Sequence, residues 1–450
     1  MKILNFEEFT LEQAQAELRR AGIELNHKHN MSQVGGMKPL LDLISRGKFR
    51  DSLEKELGQY KSRTVIQLLV GLWTGARSMV EVGQAGKDPL LARVIKRPVE
   101  EAQLARDLKS FTKAEIEALH DVNRSHVLFH IIQKLPPDEV LYLDVDSTHV
   151  EKYGEQEGVE KGYCGRDQIE NCYQYLLFYL NNQRMFLCGT IRSGSTHSQN
   201  DFCGYLERLL PSFKRRRRLC LRGDTGYYNE KAFDVMSEND VSFFIKAPMT
   251  PSRSNQVLQS QGALVWSLEN AQGVSYATDE TKTEQGSRFR EVFKRTRLTS
   301  SQASLFEALE YRYDCVATND FAISEDEVFL VYNGRAQIEN GIKELKEDYQ
   351  LGRIVTDSFD ANDVITQVSL MAYTILQVFK SEVLPPKMSR NRLSTLRTHV
   401  FHVPGCLVHW ARRQIMRIQN VFSSEQVLGF IQYRSRVIQS WALDPPIFET

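Results

Sequence analysis

No apolar run in this sequence approaches the roughly 18 residues needed to cross a bilayer, and the longest, VIQLLVGLW and YLLFYL, suit a protein core. Neither sign of charge is in excess. Lys and Arg number 57 and Asp and Glu 57, which argues against a uniformly basic nucleic-acid binder and makes the distribution of charge the useful quantity. The cysteines, 7 in all, are scattered and without a CxxC pair, a pattern that fits reduced thiols in a cytosol. The opening MKILNFEEFTLEQ meets acids before an apolar leader core can form, so export is not expected. There is no internal repeat and no low-complexity segment.

What remains is ordinary globular composition, 42% hydrophobic and 25% charged over 450 residues, enough for two or three domains. Residues 1–135 read as helices, among them ELRRAGIEL, GMKPLLDLISRG, TVIQLLVGLW and one opened by Thr112 and Glu115 in the S/T-x-x-E capping pattern. After PPDE the texture changes. VLYLDV, YQYLLFYL, MFLCGTI, RLCLRG and VSFFIK read as strands, with DFCGYLERLL and NEKAFDVMS as helices between or after them. Several strands precede the first crossover helix, so the expectation is an α/β core, a mixed sheet flanked by helices. VWSL, VSYAT, RFREVFKRTR and YRYDCVAT suggest an all-β insertion over 250–320. The core is therefore assigned to 136–249 and 321–385, where ANDVITQVSLMAYTILQVFK reads as a buried helix, and 386–450 forms a basic C-terminal region.

Charge is concentrated in two places. Lys214 to Arg218 reads KRRRR, which a solvated surface run also explains. The stretch from Lys387 to Ser424 has no Asp or Glu, yet carries Lys387, Arg390, Arg392, Arg397, Arg412, Arg413 and Arg417 with Trp410 among them. Such a tract can neutralise phosphates and release counterions.

In VYNGRAQIENGIKELK, at about 100° per residue, Tyr332, Arg335, Glu339 and Lys346 fall within roughly 60° of one another on a helical wheel. Ile338, Ile342 and Leu345 occupy the adjoining arc, so the polar stripe borders buried ground. A structural row of ion pairs is one explanation. The acids elsewhere suggest another. VLYLDVD leaves Asp146 at an apolar strand end and RLCLRGD does the same for Asp224, where α/β sites usually lie, although single Asp residues there also serve as helix caps. Three carboxylates converging from Asp146, Asp224 and Glu339 would repel one another unless a divalent cation bound between them, and Mg²⁺ prefers such hard oxygen ligands. Two ions held this way can activate a water or 3′-hydroxyl and stabilise the leaving oxygen at phosphorus. Arg335 and Lys346 would then grip phosphates, with Tyr332 contacting a phosphate or stacking on a base.

With these residues the sequence resembles the DDE transposases of bacterial insertion sequences, in the group marked by Tyr-x2-Arg-x3-Glu-x6-Lys. Tyr332, Arg335, Glu339 and Lys346 match that signature, Asp146-Ser147-Thr148 matches the first acid with its hydroxyl residues, and Asp224 in RGDTGYYNE matches the second. GEQEGVEKGY and IRSGSTHS extend the likeness, which covers about residues 20 to 420. The resemblance implies a ribonuclease H-like core, a helical DNA-binding region over 1–135 and a β-rich insertion between the second and third acids. It implies catalysis and metal binding by Asp146, Asp224 and Glu339, with Mg²⁺, or Mn²⁺ as a substitute, in two-ion sites. It further implies cut-and-paste cleavage and strand transfer, a homodimer in the synaptic complex with DNA, and a cytoplasmic, nucleoid-associated protein. Arg390, Arg392, Arg412 and Arg413 are candidates for non-specific DNA contact. The rival readings are a metal-dependent nuclease on the same core and a domesticated DNA-binding protein.

Other residues carry less. Relatives place an aromatic residue in the insertion to receive a flipped base, which would suit Trp266, though a core tryptophan in a VWSL strand explains it as well. Asp144 points the same way as Asp146 and could be the ligand instead, the hydroxyl pair favouring Asp146. His27 and His29 lack a matching Cys or acid cluster, His197 lies in a loop, and Lys343 borders the stripe.

Overall fold

The computed structural model describes residues 31–435 except 47–48, 137, 165–167, 198, 214–217, 259–263, 299–310, 411–412, 419–426, 428 and 432–433. His27, His29, Arg412 and most of the KRRRR run lie outside the described residues.

A short strand β1 (Met31–Ser32) precedes six helices: α1 (Lys38–Arg46), α2 (Phe49–Thr74), α3 (Met79–Ala85), α4 (Pro89–Ile95), α5 (Glu101–Lys109) and α6 (Lys113–Lys134). The Thr112 and Glu115 capping pair forms as expected: the Glu115 amide donates to Thr112 Oγ1, and the Thr112 amide donates back to Glu115 Oε2 at 2.8 Å. Helix α2 is apolar on all sides over its second half and is buried accordingly.

The core strands are β2 (Leu141–Glu151), β3 (Glu160–Tyr163), β4 (Ile169–Leu180), β5 (Met185–Ser193), β6 (Leu219–Gly223) and β7 (Ser242–Lys246). β4 is antiparallel to both β2 and β5, whereas β6 lies parallel to β2 and β7 parallel to β6, giving the order β5-β4-β2-β6-β7. This is a mixed sheet, and its central run YQYLLFYL is apolar on both faces because helices cover both. On one face α7 (Phe202–Leu209) and α8 (Glu230–Glu238) pack through Phe202 on Phe178 and Phe233 on Phe243. On the other, Tyr179 and Phe186 meet Tyr373.

After α9 (Pro251–Leu258), residues 274–318 supply β8 (Val274–Lys282), β9 (Arg288–Arg297) and β10 (Tyr311–Thr318), an antiparallel set. β10 pairs with β7, so these strands extend the core sheet. The VWSL segment departs from expectation: it forms no strand, and Trp266 packs half-buried against Tyr313 and under the Arg295 guanidinium. Helices α10 (Glu325–Asn333) and α11 (Gln337–Asp348) follow, then α12 (Phe359–Glu382), buried along most of its length, and the short α13 (Leu393–Leu396). Strands β11 (Gly405–Trp410) and β12 (Arg413–Ile418) make a second small sheet with β1.

The N-terminal helices rest directly on the core. Trp73 Nε1 donates to the Ala372 carbonyl of α12 at 2.9 Å, and Arg397 donates to the carbonyls of Leu72, Trp73 and Asp348. No single helix among the described residues is long and apolar enough to cross a membrane.

Candidate active site

The site is built where two parallel strands separate. The β2–β6 ladder pairs Asp144 with Arg222 and Val145 with Gly223, after which β6 ends and the chain turns at Asp224. The next register position sets Asp146 beside Asp224. β2 itself runs on to Glu151, so Asp146 is not at a strand end as expected. It becomes accessible because its neighbour stops there. Each carboxylate is tied to the adjoining backbone: Asp146 Oδ1 accepts from the Ser147 amide at 2.9 Å and Asp224 Oδ1 from the Gly226 amide at 3.0 Å.

The signature helix is not continuous. Gly334–Ala336 is a 3₁₀ turn between α10 and α11, and three residues at about 120° each rotate Tyr332 roughly 60° relative to Glu339 beyond the helical expectation. The turn changes their order around the axis but leaves the four within about 60° of one another, and they differ instead in what they face. Arg335, at the turn, reaches Asp146, its Nη2 being 3.5 Å from Oδ2. Glu339 is exposed and borders a cleft of about 400 Å³ with Asp146, Ser147, Thr148, Lys343, Lys346 and Arg353. Lys346 donates to the His149 carbonyl at 2.8 Å, and burial lowers its ammonium pKa. Tyr332 is buried with Val328 and Phe329 and lines a separate groove of about 400 Å³ with Lys246, Lys294, Arg297 and Arg312.

Burial is the largest influence on Asp146 and raises its pKa to about 6; Asp224 and Glu339 add to the rise, while Arg335 and the Ser147 amide oppose it. The three acids therefore feel one another. Among the described residues, no three His, Cys, Asp or Glu side chains already close on a common ion position. The Arg335 guanidinium is the positive charge at the junction, and its buried Nε has no protein hydrogen-bond partner among the described residues.

Asp144 is not available as a ligand. Fully buried, it accepts from Arg222 Nε at 2.6 Å, Arg222 Nη2 at 3.0 Å and Asn181 Nδ2 at 2.6 Å. Sequence reasoning missed Arg222, although an arginine that follows the apolar LCL within a strand called for a buried partner. In the basic C-terminal tract, Arg392 is paired with Glu347 at 2.8 Å and Asp348 at 3.1 Å, whereas Arg390 is exposed and Arg413 begins β12. His197 is exposed in a turn, its Nδ1 accepting from the Gln199 amide.

Comparisons with known proteins bear on the family. A cryo-EM structure of the piggyBac transposase synaptic complex with hairpin DNA aligns over 80% of this chain and 80% of its own at 12% identity, with a TM-score of 0.41, a likeness too low to carry an argument about residues. No curated protein matches. The family described as transposase DDE domain group 1 matches residues 44–436. That match spans the strand junction, the signature turn and the helices beneath them, and the chain accordingly belongs to this family of DNA transposases.

Proposed function

We propose that this transposase cleaves DNA at the ends of its element and joins the freed ends to target DNA in a cut-and-paste reaction, with Asp146, Asp224 and Glu339 as the acids that hold Mg²⁺. The observation that carries this reading is the junction of β2 and β6, where Asp146 and Asp224 are neighbours and Glu339 lies across the cleft. The donor set fits a hard divalent cation, since it offers carboxylate oxygens and its most buried member is kept towards its protonated form by burial first and by the other two acids after it. When bound, such ions neutralise charge on the phosphoryl oxygens and on the attacking and leaving oxygens. Mn²⁺ meets the same oxygen preference.

The chain's own groups supply the rest. Arg335 holds Asp146 and sets its guanidinium charge at the junction, where a phosphate would meet it. Lys343 and Lys346 border the cleft, the latter fixed by the His149 carbonyl. Beyond Tyr332 the second groove offers Lys246, Lys294, Arg297 and Arg312 beside two aromatic rings, a lining suited to a nucleic-acid strand. In this reading residues 1–135 supply most sequence preference, the C-terminal region adds affinity, and two copies bring two ends together.

The test uses a linear donor carrying the element's ends, a plasmid target and Mg²⁺. Products joined through donor 3′-ends support the proposal. Cleaved but never joined ends assign a nuclease, and end binding without cleavage assigns a DNA-binding protein.

A further inference from the structure

We propose that Asp144, Arg222 and Asn181 form a positioning unit that holds the Gly334–Ala336 turn, so that Arg335 and Glu339 face Asp146 and Asp224; the proposal rests on those acids being the ion-holding set. Two of the three members lie one alternation below the site. Asp144 precedes Asp146 by two residues on β2, Arg222 precedes Asp224 by two on β6, and the ladder sets Asp144 opposite Arg222. A buried ion pair thereby ties together the strands that present the first two acids.

The same arginine reaches the third. Nε and Nη2 of Arg222 donate to Asp144, while Nη1 donates to the Val331 carbonyl at 2.8 Å in the last turn of α10. Asn181, at the end of β4, donates from one Nδ2 both to Asp144 and to the Gly334 carbonyl at 3.1 Å. The Val331 carbonyl also accepts from the Gly334 amide, so Arg222 adds a second donor to it and ties the strand pair to the backbone on both sides of the turn. The fit is close. A Cβ at Gly334 would stand 2.4 Å from Arg222 Nη1, so glycine is required by the approach of the guanidinium. Tyr142 closes the unit from the side, with the Arg222 guanidinium carbon 4.6 Å from its ring centre. One residue after this clamp comes Arg335, and five residues after it Glu339. None of the three clamp residues borders the cleft, so they act through the turn.

The experiment compares Gly334→Ala, Arg222→Lys and the double variant in the full-length protein. Gly334→Ala keeps every charge and adds a methyl group against Nη1; Arg222→Lys keeps the charge and deletes Nη1. The first readout, amide hydrogen exchange across residues 331–339, is taken without metal or DNA. The second is the Mg²⁺ concentration for half-maximal cleavage, beside affinity for the DNA ends. Each single variant is expected to speed exchange in that segment and to raise the Mg²⁺ requirement roughly ten- to a hundred-fold at unchanged end affinity. The double variant is expected to be no worse than Arg222→Lys, because the clash has lost its partner. Either single variant with wild-type exchange and Mg²⁺ dependence overturns the proposal, as do additive losses in the double variant. The assignment of the acids fails separately: it falls if alanine at Asp146, Asp224 or Glu339 leaves cleavage intact, whatever the exchange data give.

Discussion

Nη2 of Arg335 stands 3.5 Å from Oδ2 of Asp146, a contact between two largely buried side chains that bridges the end of one helix and the middle of a strand. It sets a cation against a carboxylate whose pKa is already raised to about 6, so the charge state of this pair governs how the site behaves without metal.

The metal-free protein should therefore lose stability as pH rises from about 4 to above 6. An unfolded aspartate titrates near 3.9, the folded Asp146 near 6, and over that interval the folded state holds the extra proton. Asp146→Asn removes the penalty of ionisation and should raise Tm at pH 7.5, by an amount equivalent to no more than about 3 kcal/mol, with no gain at pH 4. Added Mg²⁺ should stabilise the wild type and not the variant. Thermal melts at the two pH values decide it, and equal Tm differences at both would remove the raised pKa from the account.

Alanine at Asp146, Asp224 or Glu339 should abolish cleavage and spare end binding. Asp144→Ala should differ in kind, stranding the buried Arg222 guanidinium and lowering stability by about 3 to 5 kcal/mol. Chemical denaturation beside a cleavage assay separates the two classes. A well-folded, cleavage-dead Asp144→Ala would return that residue to the candidate ligands.

Arg335→Ala should slow cleavage by about a hundred-fold, since it removes the positive charge at the junction as well as the partner of Asp146. Lys at this position keeps the charge but not the planar fork, and should recover only part of the rate. Full recovery by Lys would mean that charge alone is used.

Arg390 and Arg392 should separate in the C-terminal tract. Arg390→Ala should reduce the slope of log affinity against log salt by about one, the loss of a single phosphate contact, at unchanged Tm. Arg392→Ala should lower Tm and leave the slope alone, because its guanidinium is held by Glu347 and Asp348. A salt titration with a melt for each variant checks this; identical behaviour would return Arg392 to the DNA-contacting set.

These differences mark where sequence reasoning stops. Local patterns were readable: the apolar run YQYLLFYL became the buried strand β4, and Thr112 with Glu115 capped its helix. The acids could be picked out because charged residues beside apolar strands need a reason. Their partners could not, since Asp144 meets Arg222 across 78 positions and only the parallel register brings them together. The tight turn at Gly334 is shaped around that same arginine, and a wheel drawn at a constant angle carries no such term. Counting cations misjudged Arg392 and Arg397 for a related reason: charge is local, but the acids and carbonyls that engage them lie about 45 to 325 positions away.

The pairing of β10 with β7 has a mechanical consequence. Val316, Ala317 and Thr318 are laddered to Lys246, Ile245 and Phe244, so the strands carrying the basic groove are welded to the sheet carrying Asp224. There is no hinge at this boundary, and the two regions should open to solvent exchange as one cooperative unit. The spacing from the groove past Tyr332 to the acids is then a fixed gauge, and if one duplex enters both, the DNA supplies the bending.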